Sequence, residues 1–217
     1  MKKLFLCSTI ALFSVIVTNA QEFHFGAKAG LNFASARGDD AEDLETRTSF
    51  NFGGVLHIPF DEKLGFQAEL LYSGQGYSIE DENNGDLNPN TQTIVLERAN
   101  TNQIGRVAAA SNDGVILGYI NIPLLVDYKI IDALSIQAGP EIAFNVSSKA
   151  DFGGNEVDLK DQTSGTSFSA LLGTQYKLPM GVFFQARYAL GLNNIPKDDA
   201  FEAKNAVFSI SAGYFFN

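Results

Sequence analysis

Four ionisable side chains stand out by their placing. Lys28, Glu69, Glu141 and Arg187 each lie near the middle of a segment in which apolar residues recur at every second position, and each falls on the polar side of that alternation. Two cations and two anions confined to one interior must pair, because an unpaired buried charge is costly. The same four groups could instead line a selective pore. The only two histidines, His24 and His57, share the polar side. A lipase or deacylase built on them needs a serine within hydrogen-bond reach of an imidazole that a third group orients. The chain has no nucleophile-elbow motif, and Ser164-Gly165 falls between segments. Hydrogen bonding is therefore the role expected of both histidines. Asp39, Asp40, Glu42, Asp43 and Glu45, like Glu80, Asp81 and Glu82, carry the hard oxygens that Ca²⁺ prefers, but neither run has the spacing of an EF-hand loop. Solvated acidic loop tips are the expectation. No catalytic residue, cofactor or metal is expected.

The elements that must position these groups are eight strands. Residues 22–34 place Phe23, Phe25, Ala27, Ala29, Leu31 and Phe33 on one face and His24, Gly26, Lys28, Gly30 and Asn32 on the other. Residues 49–60 and 63–73 repeat the pattern, the second setting Leu64, Phe66, Ala68, Leu70 and Tyr72 against Gln67 and Glu69. Further segments follow at 119–129, 134–145, 168–177, 182–191 and 208–216. Period-two alternation of this length demands strands with two differently solvated faces.

Three tight turns, at Asp61-Glu62, Ile131-Asp132 and Pro179-Met180, alternate with four long polar stretches at 35–48, 79–113, 148–166 and 194–205. This layout predicts an all-β fold: an eight-stranded antiparallel up-and-down transmembrane β-barrel, with four long extracellular loops and three short periplasmic turns. Aromatics mark both ends of the apolar faces: Phe23, Phe60, Tyr128, Tyr176, Phe184, Tyr214 and Phe216 at the short-turn end, Phe33, Phe50, Tyr72, Phe144 and Phe168 at the other. The separation of Phe23 from Phe33 corresponds to roughly 25 Å at ordinary strand rise and tilt, the height of a lipid-facing band. A soluble lipocalin-like barrel would be apolar inside and polar outside, whereas here the polar face carries glycines and charges suited to a tight lumen. Pro123 and Pro140 lie within strands, where a missing N–H interrupts the ladder, and bulges are expected at both.

The ends and the composition agree with export. Lys2 and Lys3, the apolar run Leu4 to Val17 and Thr18-Asn19-Ala20 read as a signal peptide over 1–20, leaving 21–217 as the barrel domain. The single cysteine, Cys7, falls in the signal, so the mature chain has no thiol for disulfides, metal or nucleophilic catalysis. The net charge of −10 argues against nucleic-acid binding. The four long stretches hold 18 of the 25 acidic residues and 8 of the 15 basic ones. Loops of such length usually carry function or lack order.

Gly118-Tyr119-Ile120-Asn121-Ile122-Pro123-Leu124-Leu125 resembles the Y-x-x-I-P-L-L strand of the PorT-like outer-membrane β-barrel proteins of Bacteroidetes. Gly65 to Ser73, Ala138-Gly139-Pro140, the opening Phe25 to Asn32 and the closing aromatic strand are similar to that family's other recurring strands. The resemblance spans the mature chain and accounts for Pro123. It implies an eight-stranded barrel in the outer membrane of a Gram-negative bacterium and brings no catalytic residues with it. The reading is a non-enzymatic, monomeric barrel that contacts outer-membrane lipid and engages a protein, glycan or envelope partner through acidic loops. A narrow small-solute channel and a lipid-modifying barrel enzyme are the alternatives.

Overall fold

A computed structural model describes residues 23–38, 44–79, 114–152, 155–161, 163–195 and 203–216. The regular structure in them is β-strand throughout: β1 (His24–Arg37), β2 (Leu44–Pro59), β3 (Leu64–Ile79), β4 (Gly114–Ile131), β5 (Leu134–Phe152), β6 (Asn155–Asp158), β7 (Thr166–Lys177), β8 (Val182–Asn194) and β9 (Lys204–Phe216). Pairing runs β4-β3-β2-β1-β9-β8-β7-β5, and a further β4–β5 ladder closes the sheet into an eight-stranded antiparallel barrel. The short β6 pairs only with the far end of β5, from Lys149↔Asp158 to Phe152↔Asn155. Closure pairs each of the eight barrel strands on both sides, which is what lets strands lie in hydrocarbon at all.

The two faces are solvated in the opposite sense to a soluble barrel. Phe25 (59%), Leu70 (59%) and Leu172 (61%) stand well exposed on the outer wall, while Lys28, Gln67, Glu69, Gln137 and Arg187 are buried inside. An apolar surface this continuous is intolerable in water and fits lipid. The aromatic bands also stand on the outer wall, with Phe23, Tyr128, Tyr176 and Phe216 near the short turns and Phe50, Phe144 and Phe168 near the other end, all exposed.

Short turns tie one end together. Backbone N–H groups of Lys63 and Leu64 each donate to Asp61 Oδ1 at 2.7 Å, fastening the β2–β3 turn and holding the Asp61 carboxyl below the ordinary aspartate range. At the β7–β8 turn Gly181 has φ 91°, a left-handed conformation that L side chains rarely adopt.

The strands outrun the segments expected from alternation, chiefly at the long-connection end. β1 continues to Arg37, β4 begins at Gly114, β5 reaches Phe152 and β9 begins at Lys204. The polarity explains it. Beyond the lipid band the wall faces water and the inside becomes the only apolar refuge. There Ala36, Val115, Leu117, Tyr119, Ala143, Ile195 and Ala203 form a buried cluster, with Tyr77 and Leu159 against it.

The expected bulges at Pro123 and Pro140 are not there. The β3–β4 register is the same on either side of Pro123, from Ala68↔Leu124 to Leu71↔Asn121. The β4–β5 register likewise runs unshifted from Pro123↔Glu141 to Val126↔Ala138, across Pro140. Each proline forfeits a donor, but both neighbours of its strand hold the alignment, so a gap in the ladder suffices. The irregularities in this ladder fall elsewhere: between Gly118 and Tyr119, which pair with Ser147 and Asn145 and so leave Val146 extra on β5, and between Lys129 and Ile131, which pair with Ser135 and Leu134 and so leave Ile130 extra on β4.

A closed barrel has no free edge from which to unzip. The folded protein is therefore expected to resist detergent unless boiled, running at two mobilities in cold and heated electrophoresis samples. One mobility under both treatments would count against the barrel.

Candidate functional site

The site is the lumen, built in layers by the inward residue of every second position. Nearest the short turns, Phe183 and Phe215 are fully buried with ring centroids 4.5 Å apart, and Val55 completes their cluster. Phe183 lies opposite Gly213 in the β8–β9 register, and a Cβ on Gly213 would run into the Phe183 ring. The aromatic ring thus covers the space a glycine leaves. Lys177 Nζ stands 5.0 Å from the Phe215 ring centroid.

His57 packs on Phe215 at 6.0 Å and on His24 at 6.1 Å. Its Nε2 lies 3.8 Å from Asp127 Oδ1, while Ser135 Oγ donates to Asp127 Oδ2 at 2.8 Å. The serine is thus bonded to the carboxylate and not to an imidazole, which is the wrong order for a serine nucleophile activated by histidine. Ser164 lies apart, its hydroxyl donating to the Asn194 carbonyl at 3.1 Å.

At mid-height three of the four sequence-expected charges meet. Arg187 grips Glu69 with both arms, Nη1 to Oε2 at 2.9 Å and Nη2 to Oε1 at 3.0 Å. Lys28 Nζ sits 2.8 Å from Glu69 Oε2. A bidentate pair of this kind is among the stronger charge-assisted contacts. Around it runs a belt of glutamines: Lys28 donates to Gln185 at 2.8 Å, Gln185 to Gln175 at 2.7 Å, Gln137 to Gln67 at 3.1 Å, Gln67 to Glu69 at 2.5 Å and Arg187 to Gln137 at 2.8 Å. Gln137 also donates to Asp127 at 2.7 Å, tying this layer to the one below. The network thus draws on β1, β3, β4, β5, β7 and β8 and crosses the interior.

Glu141 stands apart from that cluster. It is buried, its hydrogen-bond partner is Asn121, and it feels Arg187 and Lys28 only through space. Above the charges, Asn32 Nδ2 donates to Ser73 Oγ at 2.9 Å and to the Gly74 carbonyl at 2.7 Å, Asn51 donates to Asn32 at 2.6 Å, and Ser211 to Asn51 at 3.1 Å. The apolar cluster of Leu117 and Tyr119 closes the series.

Sequence reasoning missed the glutamine belt, Asp127 and the Phe183–Phe215 pair. The glutamines were legible as four amides at inward positions of four strands. The two phenylalanines were not, because aromatic residues on a polar face break the alternation that defines the strand. Asp39, Asp40, Glu42, Asp43, Glu80, Asp81 and Glu82 lie outside the described residues. Among those described, no group of three or more His, Cys, Asp or Glu is arranged to hold a metal ion.

This architecture is shared with known barrels. The attachment invasion locus protein Ail of Yersinia pestis superimposes with a TM-score of 0.52 at 14% identity, over 90% of this chain and 99% of Ail. Neisserial surface protein A gives 0.53 at 14% identity, over 88% of this chain and 97% of its own. A second Ail structure, in complex with the heparin analogue sucrose octasulfate, gives 0.51 at 14% identity, over 90% of this chain and 99% of that one. At such identity the likeness is one of fold. No curated protein matches the sequence. The family model described as outer membrane protein beta-barrel domain matches residues 19–197. With its apolar outer wall, closed ladder and polar interior, this chain belongs to that outer-membrane β-barrel family, and its place is the outer membrane of a Gram-negative bacterium, in contact with lipid.

Proposed function

We propose that this protein is a non-enzymatic, monomeric barrel of the PorT-like kind its strand motifs resemble, with a plugged lumen and a binding role carried by its long acidic connections. The observation that carries this reading is the belt of Lys28, Glu69, Arg187 and four glutamines, whose donors and acceptors are spent on one another across the interior. An eight-stranded barrel has room for little more than its own side chains. What is left to meet a partner is the long connections, with their 18 acidic and 8 basic residues. Residues 1–20 are removed on export, and 21–217 form the mature barrel.

The charge narrows the partner. Ail is seen with a polyanion, whereas the connections here would repel one; a basic or neutral face of a protein or an uncharged glycan suits them better. Photo-crosslinkers placed in the long connections of living cells test this directly. Recovery of one partner, lost when the acidic runs are neutralised, supports the reading. Crosslinks to lipid alone would sink it.

The same reading places the long connections outside the cell and both termini in the periplasm. Tags inserted at Asn84 and Asp199 should then be labelled on intact cells, and a tag at Asp61 should be labelled only after permeabilisation. Labelling at Asp61 alone would invert the topology.

A further inference from the structure

At the long-connection rim, one part of the wall departs from its acidic surroundings. Arg37 lies directly opposite Lys204 in the β1–β9 register. Both share the outward parity of Leu31 on β1 and of Phe208 and Ile210 on β9. Like charges facing each other across an antiparallel pair repel, and among the described residues neither is ion-paired to a carboxylate. Arg37 Nη1 donates to the Tyr188 hydroxyl on β8 at 3.0 Å, which carries the arginine across β9. Ala206, between them on β9, is 2% exposed although it shares the outward parity. Below this group Phe33 and Phe208 stack at 6.2 Å, and Tyr188 neighbours Phe208 in register.

The height is what gives this arrangement meaning. Arg37 follows Phe33 by four residues on the same strand. At ordinary rise and tilt it stands roughly 10 Å beyond the aromatic band, where hydrocarbon gives way to headgroups. A guanidinium fastened by a hydroxyl, beside an ammonium, both facing sideways from the wall, offers a fork and a point charge to a phosphate approaching from the lipid.

We propose that Arg37 and Lys204, with Tyr188 holding the arginine, bind the phosphate of a phosphorylated lipid headgroup in the leaflet at the long-connection end. In the orientation given above this is the outer leaflet. The bound phosphate offsets the repulsion that the bare pair carries, and the stacked rings beneath bear against the acyl chains.

The test uses the mature barrel folded in zwitterionic detergent, titrated with bisphosphorylated lipid A and followed by native mass spectrometry. Cold and heated electrophoresis of each variant checks that the barrel is intact. Wild type should retain the lipid. Arg37→Gln with Lys204→Gln should weaken retention by roughly thirtyfold, each basic residue near such a surface contributing about a factor of five. Arg37→Lys with Lys204→Arg should keep most of the binding, and Lys63→Gln at the opposite rim should change nothing. Equal retention by the neutral double variant overturns the site. So does equal retention of lipid A stripped of phosphate, or binding of free inorganic phosphate as tight as that of the lipid. Detergent exposes both rims, so the result is independent of the tag labelling and of any partner of the long connections. Failure here leaves that reading standing, and failure there leaves this site standing.

Discussion

Glu69→Gln is expected to be among the most damaging single substitutions in the barrel, lowering stability by about 3–5 kcal/mol, the usual cost of removing one partner of a buried ion pair. Among the described residues Glu69 is the only carboxylate ion-paired to Lys28 and Arg187, and all three are buried at mid-height. An amide in its place leaves two buried cations side by side with no negative charge between them. The measurement is the urea midpoint of refolding, read from the cold and heated electrophoretic bands. Glu141→Gln should cost much less, because Glu141 is held by Asn121 and not by a cation, and a glutamine oxygen can still accept from that amide. Combining Glu69→Gln with Arg187→Gln, and separately with Lys28→Gln, should recover part of the loss. Such non-additivity is the signature of groups acting through one another. Additive losses would mean that the three charges sit near one another without depending on one another.

Phe183→Ala should cost about 3–5 kcal/mol by a different route, that of a large cavity in a packed core. The Phe183 ring is fully buried, rests on Phe215 at 4.5 Å and fills the space over Gly213. Neither neighbour can collapse into the gap, because Gly213 has no side chain and Phe215 is held on its other side by His57 at 6.0 Å. The converse substitution, Gly213→Val, should also destabilise, since its Cβ meets the Phe183 ring and the Ala27 carbonyl at once. Combining the two should be milder than their sum, the valine occupying room that the alanine vacates. The same refolding midpoints decide it, and a Phe183→Ala barrel as stable as wild type would show that this end of the lumen is not packed.

How much of this was legible beforehand depends on which solvent each residue faces. Where lipid lies outside and a tight polar lumen inside, alternation is a sufficient guide. It places Phe25 and Lys28, or Leu70 and Glu69, on the correct sides of the wall. It fails where the solvent changes. Val115, Leu117 and Ala203 point inward beyond the lipid, so the sense of the pattern reverses and alternation no longer marks the strand. Phe183 and Phe215 were hidden for a related reason, as apolar residues inside a face defined by polarity. Alternation also assigns a face and not a partner. Lys28, Glu69, Glu141 and Arg187 were all placed inside, but whether a given carboxylate meets a given cation depends on strand stagger around the barrel, which no single strand encodes. The structure brings Glu69 to both cations and leaves Glu141 with Asn121. The prolines were over-read: an isolated strand would bulge at a missing donor, whereas β4, paired on both sides, keeps its register.

The proposed plug of charge and amide groups in the lumen should keep the barrel from conducting. Single-channel recording of the wild-type protein in planar bilayers tests it most directly. A plugged lumen should leave the membrane silent, with no discrete openings across the voltage range that the bilayer tolerates. Stable openings of uniform size in the wild type, with ion selectivity that shifts in Glu69→Gln or Arg187→Gln, would mean that the same residues line an open pore.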